Sequence, residues 1–405
     1  MTTEVNPRHA TLWYANRYIF DKYLLMILGL MAVVYILMYF MSTTLAYIDI
    51  YPHQWNYRYF TWISDGQIPY LDFEMEYPPL FFVPVIIAAF VSTIMGSFNW
   101  YVWSFQVFMI ACWFATALVV YVIANALYGR ARAIVAGIVF ACSFASAYFT
   151  LTTYDPFPTL IMMLAIGYGL IRGKEDVGIG LGIIGFFAKL FPAAAIPFIL
   201  IRGGRAAVTV AVAMVATVLI VIGGAILVMG TMPMYRYGGT GIVQSLPYTL
   251  QQALWGVTGH LIGTLWFQVL IGIPIAAITI YVLLRRRGAL QTSPTYYLTT
   301  LTVAIVAVLA LSTFHSPQYA IWFTPLCAIL ASRDVKGILV FAASQIMLYI
   351  QYPLGFWKLY VNDGYVADPL TIGWWGAVVF FIAYWGIIFL LMGILARNAE
   401  KEVSV

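Results

Sequence analysis

Asp65-Gly66-Gln67-Ile68-Pro69-Tyr70-Leu71-Asp72-Phe73-Glu74-Met75-Glu76-Tyr77-Pro78-Pro79-Leu80, with Asp49-Ile50-Tyr51 ahead of it, separates two long apolar runs. Tyr23 to Ile48 carries no charge, and Pro78 to Tyr128 carries neither a charge nor a histidine. Runs of that length are membrane-spanning material. Between them the chain places five of its fifteen acids against one base, Arg58. Carboxylates that emerge directly from hydrocarbon are costly to hold there and default to a functional reading. Its Pro, Gly and Tyr content also separates this loop from a solvated charge run.

Outward from the loop, composition gives the same class. The chain is 63% hydrophobic and 9% charged, with a mean hydropathy of +0.92, which a soluble domain of 405 residues does not reach. The apolar segments are continuous rather than alternating, which excludes a barrel. An all-α polytopic membrane protein follows, with backbone groups satisfied inside helices. The formal charge of +5 is spread thinly and does not indicate nucleic acid. Cys112, Cys142 and Cys327 lie within apolar segments and read as packing residues. The first apolar run is too long for a signal-peptide core and reads as a signal anchor.

Sixteen of the twenty basic residues fall in seven clusters: Arg8/Arg17/Lys22, Arg130/Arg132, Arg172/Lys174, Arg202/Arg205, Arg285/Arg286/Arg287, Arg333/Lys336 and Arg397/Lys401. All seven can face the cytoplasm if the spans are 23–48, 100–127, 131–150, 157–171, 177–188, 192–201, 206–229, 259–284, 295–313, 318–331, 337–352 and 372–396. Both termini are then cytoplasmic. Segment 79–97 becomes a re-entrant or juxtamembrane helix on the outer side. Segment 178–201 becomes a hairpin broken at Lys189-Leu190-Phe191-Pro192, each arm roughly 16 Å long and short of the ~30 Å hydrocarbon core. One ordinary helix with a snorkelling lysine is the alternative, and it inverts every later cluster. No internal repeat, low-complexity tract or linker divides residues 1–405, so one transmembrane domain is expected. Loop 230–258 reads as an outer loop with a short interfacial helix.

This topology puts Asp49, Asp65, Asp72, Glu74, Glu76, Asp155, Asp363 and Asp368 outside or in the outer half, together with Arg58, Arg236, Lys358 and Lys189, the last within the membrane facing a cavity. Asp49, in the last turn of the first span, is a candidate general base, since partial desolvation raises a carboxyl pKa. Tyr51 would orient it or anchor at the interface. Glu76 would favour the positive end of the helix that Pro78-Pro79 begins. Asp155 before Pro156 suits a helix N-cap. Lys189 needs an acid or an anionic ligand, and Arg236 is the other outer base, beside Gly238-Gly239. Phe314-His315-Ser316-Pro317-Gln318-Tyr319 concentrates donors for sugar hydroxyls or phosphate at a helix break. No phosphate loop or metal-ligand spacing is present, so no cofactor is expected, and a divalent metal stays open.

Gly66-x-x-Pro69-Tyr70-x-Asp72-Phe73 and Glu76-Tyr77-Pro78-Pro79-Leu80, following an Asp near the end of the first span, resemble membrane glycosyltransferases of the GT-C superfamily. The likeness is to family 87, the polyprenyl-phosphate-mannose-dependent mannosyltransferases. Tyr154-Asp155-x-x-Pro158, Lys189-Leu190-Phe191-Pro192 and Ser316-Pro317-Gln318-Tyr319-x-x-Trp322 look like motifs of that group in the same order, covering about 45–325. The resemblance implies a GT-C-like bundle of about twelve helices with its site at the outer leaflet. It also implies inverting transfer of a hexose from a polyprenyl-phosphate donor to a lipid-linked or glycan acceptor. Asp49 then corresponds to the catalytic carboxylate; Lys189, Arg236 and His315 would bind donor phosphate; Tyr51, Glu76, Tyr77, Asp155, Gln318 and Tyr319 would contact substrate. No Trp-Trp-Asp-Tyr-Gly motif is present, so the oligosaccharyltransferase branch is not indicated. A transporter or flippase of lipid-linked sugar is the other function considered, since broken helices and a membrane lysine suit it.

Overall fold

A computed structural model of the chain describes residues 21–44, 51–73, 77–202, 208–210, 212–216, 219–220, 223–224, 287–311, 316–350 and 372–403. Every regular element among the described residues is helical, and the one extended pairing there is an isolated bridge between Pro69 and Phe73. Asp49, Glu74, Glu76, Arg236, His315, Lys358, Asp363, Asp368 and loop 230–258 lie outside the described residues, as do span 259–284 and much of 206–229.

The helices are α1 (Lys22–Thr44), α2 (Tyr51–Ser64), α3 (Phe82–Met95, entered through a 3₁₀ turn at Pro79–Phe81), α4 (Phe98–Tyr128), α5 (Arg130–Ala141) and α6 (Phe144–Thr152). There follow α7 (Pro156–Ile166), α8 (Glu175–Ala188), α9 (Ala195–Arg202), α10 (Arg287–Thr292), α11 (Pro294–Leu311), α12 (Ala320–Ala331), α13 (Val335–Tyr349) and α14 (Ile372–Val403). Three helical stretches are long and apolar enough to cross a membrane: Lys22–Met41, Phe98–Tyr128 and Val379–Val403. A fourth arises if α5 and α6, bent by 55° at their junction, form one broken span. Of the twelve spans expected, two of them as short arms, three or four are long enough to cross among the described residues. Gly96, Pro156, Pro192 and Pro294 bound several of the remaining apolar helices, which run to 10–17 residues.

The chain divides into two compact units with interleaved segments: 1–28, 48–129 and 149–238 in the first, 29–47, 130–148 and 239–405 in the second. In the first unit, α3 and α4 pack as a hairpin. Gly96 ends α3 in the left-handed region (φ 73°), the usual glycine stop after a helix. Then α7, α8 and α9 run back and forth against one another. Glycines on α8 permit that approach: a Cβ at Gly178 would lie 2.9 Å from the Ala165 carbonyl oxygen, and one at Gly182 2.7 Å from Ile196 Cγ1. Such small-residue faces let membrane helices pack backbone to backbone. The expected break is present. Helix α8 stops at Ala188, Lys189 is extended (φ −163°, ψ 151°), and a 3₁₀ turn over Phe191–Ala194 leads into α9. Pro192 contributes, because it has no N–H to continue the hydrogen-bond ladder to the Ala188 carbonyl.

The second unit packs α5 on α12, and α11, α12, α13 and α14 on one another. Every residue of α12 is buried. Its interior holds a neutral polar cluster: Ser146 Oγ lies 3.0 Å from Thr324 Oγ1, and Ser146 N–H and Oγ both donate to Gln345 Oε1 at 3.3 Å. Arg132 donates to the Ser332 carbonyl at 2.7 Å, and Arg333 pairs with Glu402 at the surface. Cys112 and Cys327 are buried as packing residues, whereas Cys142 is exposed at the α5–α6 break, contrary to the sequence expectation.

Candidate functional site

The acidic loop is folded on itself by its own residues. Asp72 Oδ2 accepts the Ile68 N–H at 2.7 Å, so this carboxylate closes a turn. Tyr70 adopts φ 69°, a left-handed conformation that is rare for a bulky residue. Its N–H donates to the Phe73 carbonyl at 3.1 Å and its hydroxyl to the Tyr77 carbonyl at 2.6 Å. Desolvation raises the Tyr70 pKa, so the phenol stays a neutral donor. These bonds bring the two ends of segment 70–77 together despite the strained backbone.

Aromatic rings connect this loop to the α8–α9 break. Phe73 packs on Tyr59 and Trp62 at centroid distances of 5.9 and 4.8 Å, and Tyr59 meets Phe81 edge-on at 6.0 Å. Tyr77 stacks on Phe81 at 4.3 Å, and both rings meet Tyr154 at 4.9 Å. Arg58 lies over Trp62, 4.5 Å from its centroid. Offset and edge-to-face pairs of this kind add packing energy beyond area burial, so the chain of rings fixes Tyr154 relative to the loop.

Tyr154 in turn lies beneath Lys189, whose Nζ is 4.6 Å from the ring centroid and 2.6 Å from Asp155 Oδ1. The Asp155 side chain is fully buried and that of Lys189 is 11% exposed. Thus Asp155 and Lys189, 34 residues apart, form a buried ion pair. The N-cap expectation for Asp155 is corrected: it precedes Pro156 at the start of α7, but its side chain makes no capping bond and turns to Lys189 instead. Attraction to a cation at 2.6 Å outweighs one neutral cap bond when both compete for a buried carboxylate.

Two residues not singled out from the sequence complete the setting. His53 on α2 is fully buried, and its Nε2–H donates to the Leu151 carbonyl at 2.9 Å. Gln106 on α4, 6% exposed, donates to the same oxygen at 2.9 Å. Desolvation is the larger influence on His53 and the Leu151 bond opposes it; the net effect lowers its pKa from 6.5 to about 4. Gln106 was detectable as the lone side-chain amide in the middle of α4. His53 stands in a mixed polar and aromatic helix where nothing in the pattern marks it.

The structure therefore brings together Tyr77, Asp155 and Lys189 of the expected site. Tyr51 opens α2. Gln318 and Tyr319 belong to the second unit, in the 3₁₀ turn before α12. There Ser316 Oγ donates to Gln318 Oε1 at 2.9 Å, and Tyr319 stacks on Trp322 at 4.2 Å. Among the described residues no three His, Cys, Asp or Glu side chains gather to hold a metal ion. Chemically, the Asp155–Lys189 arrangement is an ammonium paired with a buried carboxylate over an aromatic face. Comparison of the chain with protein-family models, curated proteins and solved structures finds no match in any of the three.

Proposed function

We propose that this chain is an inverting membrane glycosyltransferase that moves a hexose, with mannose as the sugar the resemblance implies, from a polyprenyl-phosphate donor to a lipid-linked or glycan acceptor on the extracytoplasmic side. The observation that carries the reading is the buried Lys189–Asp155 pair, joined through Tyr154 to Tyr77 at the exit of the acidic loop. A buried charge pair is costly to desolvate, and a membrane protein with no use for it would be expected to fill this position with apolar residues. The GT-C architecture, twelve crossings and cytoplasmic termini belong to the same proposal.

In this mechanism Asp49 takes the proton of an acceptor hydroxyl as that oxygen attacks the anomeric carbon. The bond from that carbon to the phosphate oxygen breaks, the configuration inverts, and polyprenyl phosphate leaves with the bonding electrons. Lys189, oriented by Asp155 and aided by Arg236 and His315, stabilises the charge developing on phosphate. Phosphate is a competent leaving group, so no general acid is needed. Tyr77, Glu76 and Tyr51 would contact the sugars.

The test is transfer of radiolabelled hexose from polyprenyl-phosphate donors by purified protein. Wild type is expected to transfer, and Asp49→Asn to lose about 10²–10⁴-fold while remaining folded. Full activity in Asp49→Asn removes the proposed base. The helix break at Lys189 also suits transport. Movement of labelled lipid across proteoliposomes with no sugar transfer would favour that alternative.

A further inference from the structure

We propose that His53 and Gln106 are positioning residues: their Nε2–H groups together clamp the Leu151 carbonyl and so set where the Tyr154–Asp155 turn meets Lys189. The inference rests on the reading of Lys189 and Asp155 as part of the transferase site, and it deepens that reading by naming what holds the pair in place.

Leu151 lies in the last turn of α6, where helix carbonyls lose their intrahelical partners. Of the residues that follow, Thr153 donates its N–H to the Phe149 carbonyl instead. The Leu151 oxygen receives two side-chain donors from two different helices, α2 and α4, both at 2.9 Å. One donor would satisfy a buried carbonyl, so the second is spent on geometry. Two convergent bonds fix the direction of the carbonyl, and with it the path of the four residues that lead to Asp155.

His53 strengthens the case. Its Nε2–H is committed to Leu151, leaving Nδ1 buried without a hydrogen-bond partner among the described residues, and Phe105 packs edge-on against the ring at 5.3 Å. A buried polar atom left unsatisfied calls for a reason, and an apolar residue would fill this space at lower cost. The clamp also ties α2, which follows Asp49 in the chain, to the segment that carries Asp155.

The experiment uses the full chain in lipid nanodiscs and follows acylation of Lys189 by a membrane-permeant N-hydroxysuccinimide ester, read by peptide mass spectrometry. Wild type should react slowly, because the ammonium is buried and paired. His53→Phe and Gln106→Leu should each react roughly five- to tenfold faster, the factor that one lost hydrogen bond is worth. His53→Gln should restore protection, since its amide N–H can replace Nε2–H. Thr116→Val is the control for general loosening of α4, because Thr116 bonds within its own helix to Cys112. Rates for His53→Phe and Gln106→Leu within about twofold of wild type, or His53→Gln or Thr116→Val matching His53→Phe, overturn the clamp. In the transfer assay the clamp variants should lose kcat with KM little changed. If wild type transfers no sugar, the transferase reading fails while the acylation rates still judge the clamp. If it transfers and the rates are flat, the clamp alone fails.

Discussion

The first unit buries an ion pair, Lys189 with Asp155, whereas in the second unit the buried groups of the Ser146–Thr324–Gln345 cluster are neutral and the Arg333–Glu402 pair sits at the surface. Both units are built from apolar helices, so the solvent they face does not explain the difference. Neutral hydrogen bonds suffice to join helices inside a bilayer. Full charges in the same setting carry a large desolvation cost that packing alone gives no reason to accept. Under the proposed function, the contrast assigns the chemistry to the first unit.

Breaking each feature should give effects of very different size. Removing one partner of the buried pair, in Lys189→Met or Asp155→Asn, should lower stability by about 3–5 kcal/mol, read as thermal unfolding in detergent. The double variant Lys189→Met/Asp155→Leu should recover most of that loss, yet transfer no sugar. If the double variant transfers normally, the pair is structural and the contrast between the units disappears.

His53 provides the next effect, through pH. Its folded pKa of about 4 lies below its ordinary 6.5, so the unfolded chain binds more protons between those values. Stability contributed by the neutral ring is complete above pH 6.5 and falls as pH drops toward 4, by about 3 kcal/mol if the ring titrates alone. Unfolding midpoints measured across that range should show the slope in wild type and much less of it in His53→Gln. Equal slopes would separate His53 from the acid sensitivity.

In the second unit the changes should be smaller. Thr324→Val should cost about 0.6–1.7 kcal/mol, the range for hydrogen bonds between membrane helices. Arg333→Ala should cost at most about 1 kcal/mol, because its pair with Glu402 is partly exposed and screened by salt. A loss in either variant comparable with that in Lys189→Met would contradict the proposed division of roles.

Much of the helical organisation was legible in the sequence because its punctuation is local. Pro79 starts a helical turn, Gly96 and Gly129 end helices, and Lys189-Leu190-Phe191-Pro192 breaks a hairpin, each for reasons contained in a few residues. Helix lengths were less legible. The basic clusters constrain parity, but they do not report that apolar sequence around Gly167 and Gly169 departs from regular α-helix. Partners were least legible. Asp155 could be placed at a helix start by its proline, but its choice of Lys189 over the backbone depends on α7 and α8 packing face to face. Likewise, Gln106 and His53 share a carbonyl that neither is near in sequence.

Under the proposed function, Lys189, held by Asp155, grips the phosphate of a polyprenyl donor. Native mass spectrometry of the purified full chain with sugar-free polyprenyl phosphate tests it directly, comparing wild type with Lys189→Gln and with Arg333→Gln as a surface control. One lipid phosphate should bind wild type and the control alike, and Lys189→Gln should bind it at least about tenfold more weakly, as expected for loss of a charge-assisted contact. Equal affinity in all three would contradict the account.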